Sequence, residues 1–106
     1  MEYKTEKLLN MLQGKKLYVN HMSIESLDSY LKIALYVLFD ENRYNIIFEN
    51  VSQIRMRDIS APFFIEGFEI FDNSSKGWQS DSCFYCHDFE MDTFSFYCES
   101  FKIEMK

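Results

Sequence analysis

The chain has 106 residues, of which 47% are apolar or tyrosine and 18% aromatic, with 17 acidic and 11 basic side chains and a formal net charge of -6. That length and apolar content suit one domain over residues 1–106 with a single core and exclude a disordered chain, and one proline with three glycines excludes collagen-like or linker-like sequence. The longest apolar run, residues 33–39, is far shorter than the roughly 20 residues of a membrane span, no basic-then-apolar leader opens the chain, and three cysteines fit a reducing compartment, so a soluble, cytoplasmic protein is expected.

Leu8, Leu9, Met11 and Leu12 share one side of residues 4–13, and Gly14 follows at the position where helix ends favour glycine, which predicts a short N-terminal helix. From Leu17 the period becomes two. Tyr18, Asn20, Met22 and Ile24 alternate with Leu17, Val19, His21 and Ser23, giving a strand that ends in a polar turn at residues 25–29. Residues 24–39 are open to two readings: Leu27, Leu31, Ala34, Leu35 and Leu38 fit a helical face, while Leu31, Ile33, Leu35, Val37 and Phe39 alternate strictly. The strand is preferred for residues 30–39, because residues 40–43 have hairpin length and residues 44–51 have the composition of a returning strand.

Residues 52–58 alternate again before Pro62 breaks the ladder, and residues 63–71, apolar on both faces, read as one central strand. Residues 72–82 form the longest predicted loop. Two last strands, 83–90 and 93–105, flank a tight turn at Met91 and Asp92. The predicted class is mainly β or α+β: a short N-terminal helix with six or seven mostly antiparallel strands, arranged as a sandwich or a twisted sheet.

Cys83, Cys86 and His87 spell C-x-x-C-H, the haem c attachment motif, but that chemistry requires export and a local turn, and here the motif lies in an alternating strand. Zinc on Cys83, Cys86, His87 and Cys98 is tested by pairing the last hairpin across Met91 and Asp92. This sets His87 opposite Phe96 and Tyr85 opposite Cys98, so that Cys83, Tyr85, His87 and Cys98 face the core while Cys86, Asp88, Glu90 and Glu99 face outward. On that register the cysteines are buried hydrophobes, His87 is a hydrogen-bonded core histidine, and no metal or cofactor is expected. His21 is the only other histidine, and nothing places it beside a cysteine as a nucleophile's base. Phosphate-cradling glycine loops are absent, and the sequons at Asn50 and Asn73 read as chance matches. A non-enzymatic protein is expected.

Charge is distributed unevenly. Residues 1–57 hold seven acids and eight bases, a net of +1, whereas residues 58–106 hold ten acids and three bases, a net of -7. Nucleic-acid binding is disfavoured, since phosphate contacts need clustered Lys and Arg, and an acidic surface instead attracts a basic protein. The expected partner contacts are Asp72, Asp81, Asp88, Glu90, Asp92 and Glu99, with acids near the N-terminus such as Glu2 and Glu6 contributing little.

Over the C-terminal half, Phe48, Asn50, Val51 and Ser52, then Pro62, Phe63, Ile65 and residues 67–70, then Asp72, Ser74, Gly77 and Trp78, then Asp88, Glu90 and residues 96–98 form a pattern. In it the chain resembles the YxiG-like group of small bacterial proteins, which is similar in size and genomic habit to immunity proteins of polymorphic toxins. The resemblance implies a bacterial immunity-type protein that neutralises a toxin domain, and it carries over no catalytic residues. The rival expectation is a housekeeping or ligand-binding β module whose acidic surface only keeps it in solution.

Overall fold

The computed structural model describes residues 2–56, 62–72, 84–88, 90 and 94–106. Among these, one helix and nine strands occur in the order α1 (Glu2–Leu12), β1 (Leu17–Ser26), β2 (Leu31–Phe39), β3 (Asn42–Glu49), β4 (Ser52–Met56), β5 (Phe63–Ile65), β6 (Phe68–Asp72), β7 (Phe84–Asp88), β8 (Phe94–Cys98) and β9 (Ser100–Met105). The strands make a five-stranded sheet, β5-β1-β2-β3-β9, and a four-stranded sheet, β4-β8-β7-β6, antiparallel throughout their pairings. The expected mainly-β or α+β class is therefore right, with more strands than the six or seven expected. No described helix is long and apolar enough to cross a membrane.

The two inner faces share one core. Leu17, Val19, Ile33, Leu35, Ile46 and Phe48 of the first sheet meet Phe68, Ile70, Cys86, Phe96 and Cys98 of the second, and Phe48 packs edge-on against Phe96 at 4.8 Å. Of residues 30–39, read as a strand, Leu31–Phe39 form β2. The hairpin they open is tighter than residues 40–43, because Phe39 pairs with Asn42 and only Asp40 and Glu41 turn the chain, both at positive φ (52° and 67°).

Two elements differ from the sequence reading. Residues 63–71 are not one central strand. They split at Glu66 and Gly67 into β5, an edge of the first sheet, and β6, an edge of the second. The apolar content on both faces is explained by this crossing, since the chain buries one side in each sheet. Residues 93–105 likewise break at Glu99, where β8 leaves the second sheet and β9 enters the first. Asn50 and Val51 make the matching crossing from β3 to β4, with Asn50 at φ 55°. The paired strands β3 and β9 thus continue as the paired strands β4 and β8, turning one sheet into the other.

Helix α1 packs against β9 and reaches the edge of β6. Leu8 and Leu12 sink into the core. Thr5 Oγ1 accepts from the Ile103 N–H (3.3 Å) and donates to its carbonyl (3.5 Å), on the free edge of β9. Gln13 does the same for β6: its amide donates to the Ile70 carbonyl at 2.9 Å and accepts from the Ile70 N–H at 3.0 Å, while Phe68 N–H donates to Lys15. Eight residues of helix rise about 12 Å, close to the roughly 10 Å between packed sheets. Thr5 in the helix and Gln13 just after it therefore occupy backbone groups on one edge strand of each sheet, groups of the kind that can pair between molecules.

A two-residue turn with both φ values positive is the type that favours glycine in its second place. Glu41→Gly should raise stability by about 1 kcal/mol and the melting temperature by about 4 °C, checked by thermal circular dichroism against wild type.

Candidate functional site

The hairpin β7–β8 decides which side chains are available to a partner. Phe84 pairs with Cys98, Tyr85 with Tyr97, Cys86 with Phe96 and His87 with Ser95, one residue away from the expected register. A one-residue slip exchanges the faces of a strand, so β7 is inverted relative to expectation. Cys86 and Asp88 turn inward, while Tyr85 and His87 turn outward. The physical reason is that a thiol is buried more readily than a tyrosine or histidine, and that Asp88 has donors waiting for it.

Asp88, expected on the outward face, is fully buried. Its Oδ2 accepts from the Glu66 N–H at 3.0 Å, and its Oδ1 from the Gly67 and Glu90 N–H groups, each at 3.0 Å. The carboxylate therefore ties the β5–β6 crossing to the end of β7 and is removed from the set of partner contacts.

Cys86 and Cys98 share the core face, contrary to the expected separation. Burial, with Cys98 beside it, pushes the Cys86 thiol well above its ordinary pKa, which keeps it protonated and a poor nucleophile. His87 is on the other face, half-buried rather than in the core, with Nε2 2.9 Å from Glu69 Oε1 and its ring between Tyr85 (4.8 Å) and Phe71 (5.6 Å). Cys83 lies outside the described residues. Among the described ones no group of three or more His, Cys, Asp or Glu stands together as metal ligands.

The remaining acidic candidates divide between the ends of the β6–β7 hairpin. Glu90 is exposed just beyond β7, next to the Phe68–Asp88 pair. Asp72 is exposed at the other end, opposite Phe84, which itself pairs with Cys98 immediately before the exposed Glu99. Asp81 and Asp92 lie outside the described residues, as do Gly77 and Trp78.

At the Asp72 and Glu99 end, two concavities adjoin. The larger, about 510 Å³, runs between α1 and the sheets over Leu9, Ile70, Phe84 and Phe101, with Thr5, Glu6, Asp72 and Ser100 around it. The second, about 340 Å³, is lined by Ser29, Tyr30, Glu49, Asn50, Glu99 and again Ser100. Asn50 Nδ2 donates to Glu99 Oε1 (3.2 Å) and Tyr30 Oη to Glu49 Oε2 (3.5 Å), which orients both carboxylates along the rim. Among the described residues, four carboxylates and no lysine or arginine line the pair.

Sequence reasoning set Glu6 aside as contributing little and did not single out Glu49, yet both line these concavities. Both belong to the half whose linear charge is nearly balanced, and only the closing helix and the β3–β4 crossing bring them beside Asp72 and Glu99. No protein-family model, curated protein or solved structure matches the chain.

Asp88→Ala would leave at least three buried or half-buried N–H groups without their acceptor, and should lower stability by about 3 to 5 kcal/mol. Asp88→Asn, which keeps one acceptor but turns an NH2 toward a donor, should cost about 2 kcal/mol in a urea titration. A loss under about 0.5 kcal/mol, the range of ordinary surface changes, would be the contrary result.

Proposed function

We propose that this chain is a non-enzymatic bacterial binding protein, an immunity-type protein that neutralises a basic toxin domain in the cytoplasm by holding it at the acidic end of the sandwich. The reading rests on one observation, the two adjoining concavities that share Ser100 and present Glu6, Asp72, Glu49 and Glu99 around an apolar floor. A long cationic side chain suits such a place, because its methylene stem covers Leu9, Phe84 and Phe101 while its head meets the rim. The resemblance to YxiG-like proteins supplies the toxin as the kind of partner, and the acidic rim supplies its charge. Of the contacts expected from sequence, Asp72 and Glu99 belong to this surface.

The second reading, a ligand-binding β module, is favoured by the volume of the larger groove, which lies in the range of small-molecule sites. Native mass spectrometry of the purified protein separates the two, since a retained small molecule supports the module.

The direct test is co-expression with the product of each adjacent gene that is toxic when expressed alone, and harmlessness of every adjacent product would contradict the proposal. Reversal of Glu6, Glu49 and Glu99 to Lys should abolish protection and weaken binding by about 100-fold, with wild-type association slowing as salt rises from about 0.05 to 0.5 M. Reversal of Glu25 and Glu104, which line neither concavity, should change protection little. Full protection by the triple variant, with its fold verified by circular dichroism, would contradict the proposal.

A further inference from the structure

Strand β1 alternates as expected only as far as Val19. Val19 pairs with Val37 and His21 with Tyr36, so Asn20 is an extra residue, a β-bulge. Without it His21 would point into the core with Leu17 and Val19. With it, His21 turns out of the sandwich to meet Tyr36, ring centroids 5.3 Å apart, and Met22 takes the inward place against Leu35. Bulges re-aim side chains in this way next to functional sites, and a bulge within a ten-residue strand interrupts a ladder that would otherwise be continuous.

His21 thereby joins a mostly polar concavity. It holds about 300 Å³ on the outer face of the five-stranded sheet and is lined by Asn20, His21, Tyr36, Leu38, Arg43, Asn45 and Lys106, with Val37 and Tyr44 beneath. Every polar side chain of this lining can donate a hydrogen bond, and among the described residues none of the lining is a carboxylate. In a chain with six surplus acids this is the reverse of the expected sampling. Glu104, opposite Asn45, is engaged by Lys102 at 3.5 Å. Arg43 and Lys106 are exposed, and among the described residues neither is ion-paired.

We infer that this concavity binds a phosphomonoester carried on a planar ring, a nucleoside monophosphate being the simplest. Arg43 and Lys106 hold the phosphate, the guanidinium through its two-pronged geometry. The His21 and Tyr36 rings give the base a stacking surface, which serves any base because each has a π-face. Asn20 and Asn45 are placed to bond to the sugar or the ring edge. The volume is at the lower limit of small-molecule sites, enough for one nucleotide and not for a polynucleotide. The site is independent of the acidic end and of any toxin bound there.

The test is NMR titration of the 15N-labelled full chain, tagged at the N-terminus away from Lys106, with adenosine monophosphate, adenosine and inorganic phosphate in parallel. The expected result is saturable shifts confined to residues 20–21, 36–38, 43–45 and 106, with the nucleotide binding about ten-fold or more tighter than either fragment. Arg43→Glu with Lys106→Glu should remove binding of both nucleotide and phosphate. Tyr36→Ser should weaken the nucleotide and leave phosphate unchanged. Arg55→Glu, on the other sheet, should have no effect. Absence of saturation by the nucleotide, shifts centred elsewhere, or binding retained in the folded double-reversal variant would overturn the site, and phosphate binding as tightly as the nucleotide would overturn its ring half.

Discussion

A carboxylate taken fully out of water must find donors, and Asp88 finds the N–H groups of Glu66, Gly67 and Glu90. The first two belong to a chain leaving one sheet for the other, where a strand ladder cannot satisfy them. One side chain at the end of β7 thereby supplies the acceptor that the β5–β6 crossing lacks. It also sets the phase of β7, because turning Asp88 inward turns Cys86 and Phe84 inward and leaves Tyr85 and His87 outside. Tyr85 then stacks on Tyr97 at 4.7 Å, and His87 reaches Glu69, so the outer face of the second sheet follows from the same choice.

The sandwich closes by two devices. In one, the paired strands β3 and β9 pass into β4 and β8. In the other, Thr5 of α1 and Gln13 just after it bond to the free edges of β9 and β6. The acidic concavities lie where these devices meet the β6–β7 hairpin, which is why helix, crossings and hairpin each contribute carboxylates to one end. The cationic concavity lies on the outer face of the five-stranded sheet, where the bulge at Asn20 aims His21.

Much of this is legible in the sequence where the signal is local. The leucines of residues 4–13 with Gly14 announce α1, strict alternation announces β2, and the β2–β3 hairpin follows from composition. Residues 63–71 mislead because apolar content on both faces has two causes, a central strand or a strand that changes sheets, and the glycine at position 67 does not tell them apart. The β7–β8 register misleads for a different reason. Counting the pairing from a two-residue turn at Met91 and Asp92 gives a phase one residue away from the one observed, whereas the inward pull comes from Cys86 and from a buried Asp88, two of whose donors are 21 and 22 residues away in the chain. The net charge of each half pointed to an acidic surface, but its members had to be found in space. Asp72 and Glu99 belong to it, Asp88 does not, and Glu6 and Glu49 join from the half that is nearly neutral.

Because the phase of β7 and the crossing at Gly67 depend on one carboxylate, native-state hydrogen exchange reads the central claim directly. The Gly67 amide, held by Asp88 although it lies between strands rather than within one, should exchange only with global unfolding, with a protection free energy within about 1 kcal/mol of that of core amides such as Phe48. Exchange of Gly67 at the rate of an open turn, while Phe48 remains protected, would show that the crossing opens freely without the rest of the fold and would contradict the account.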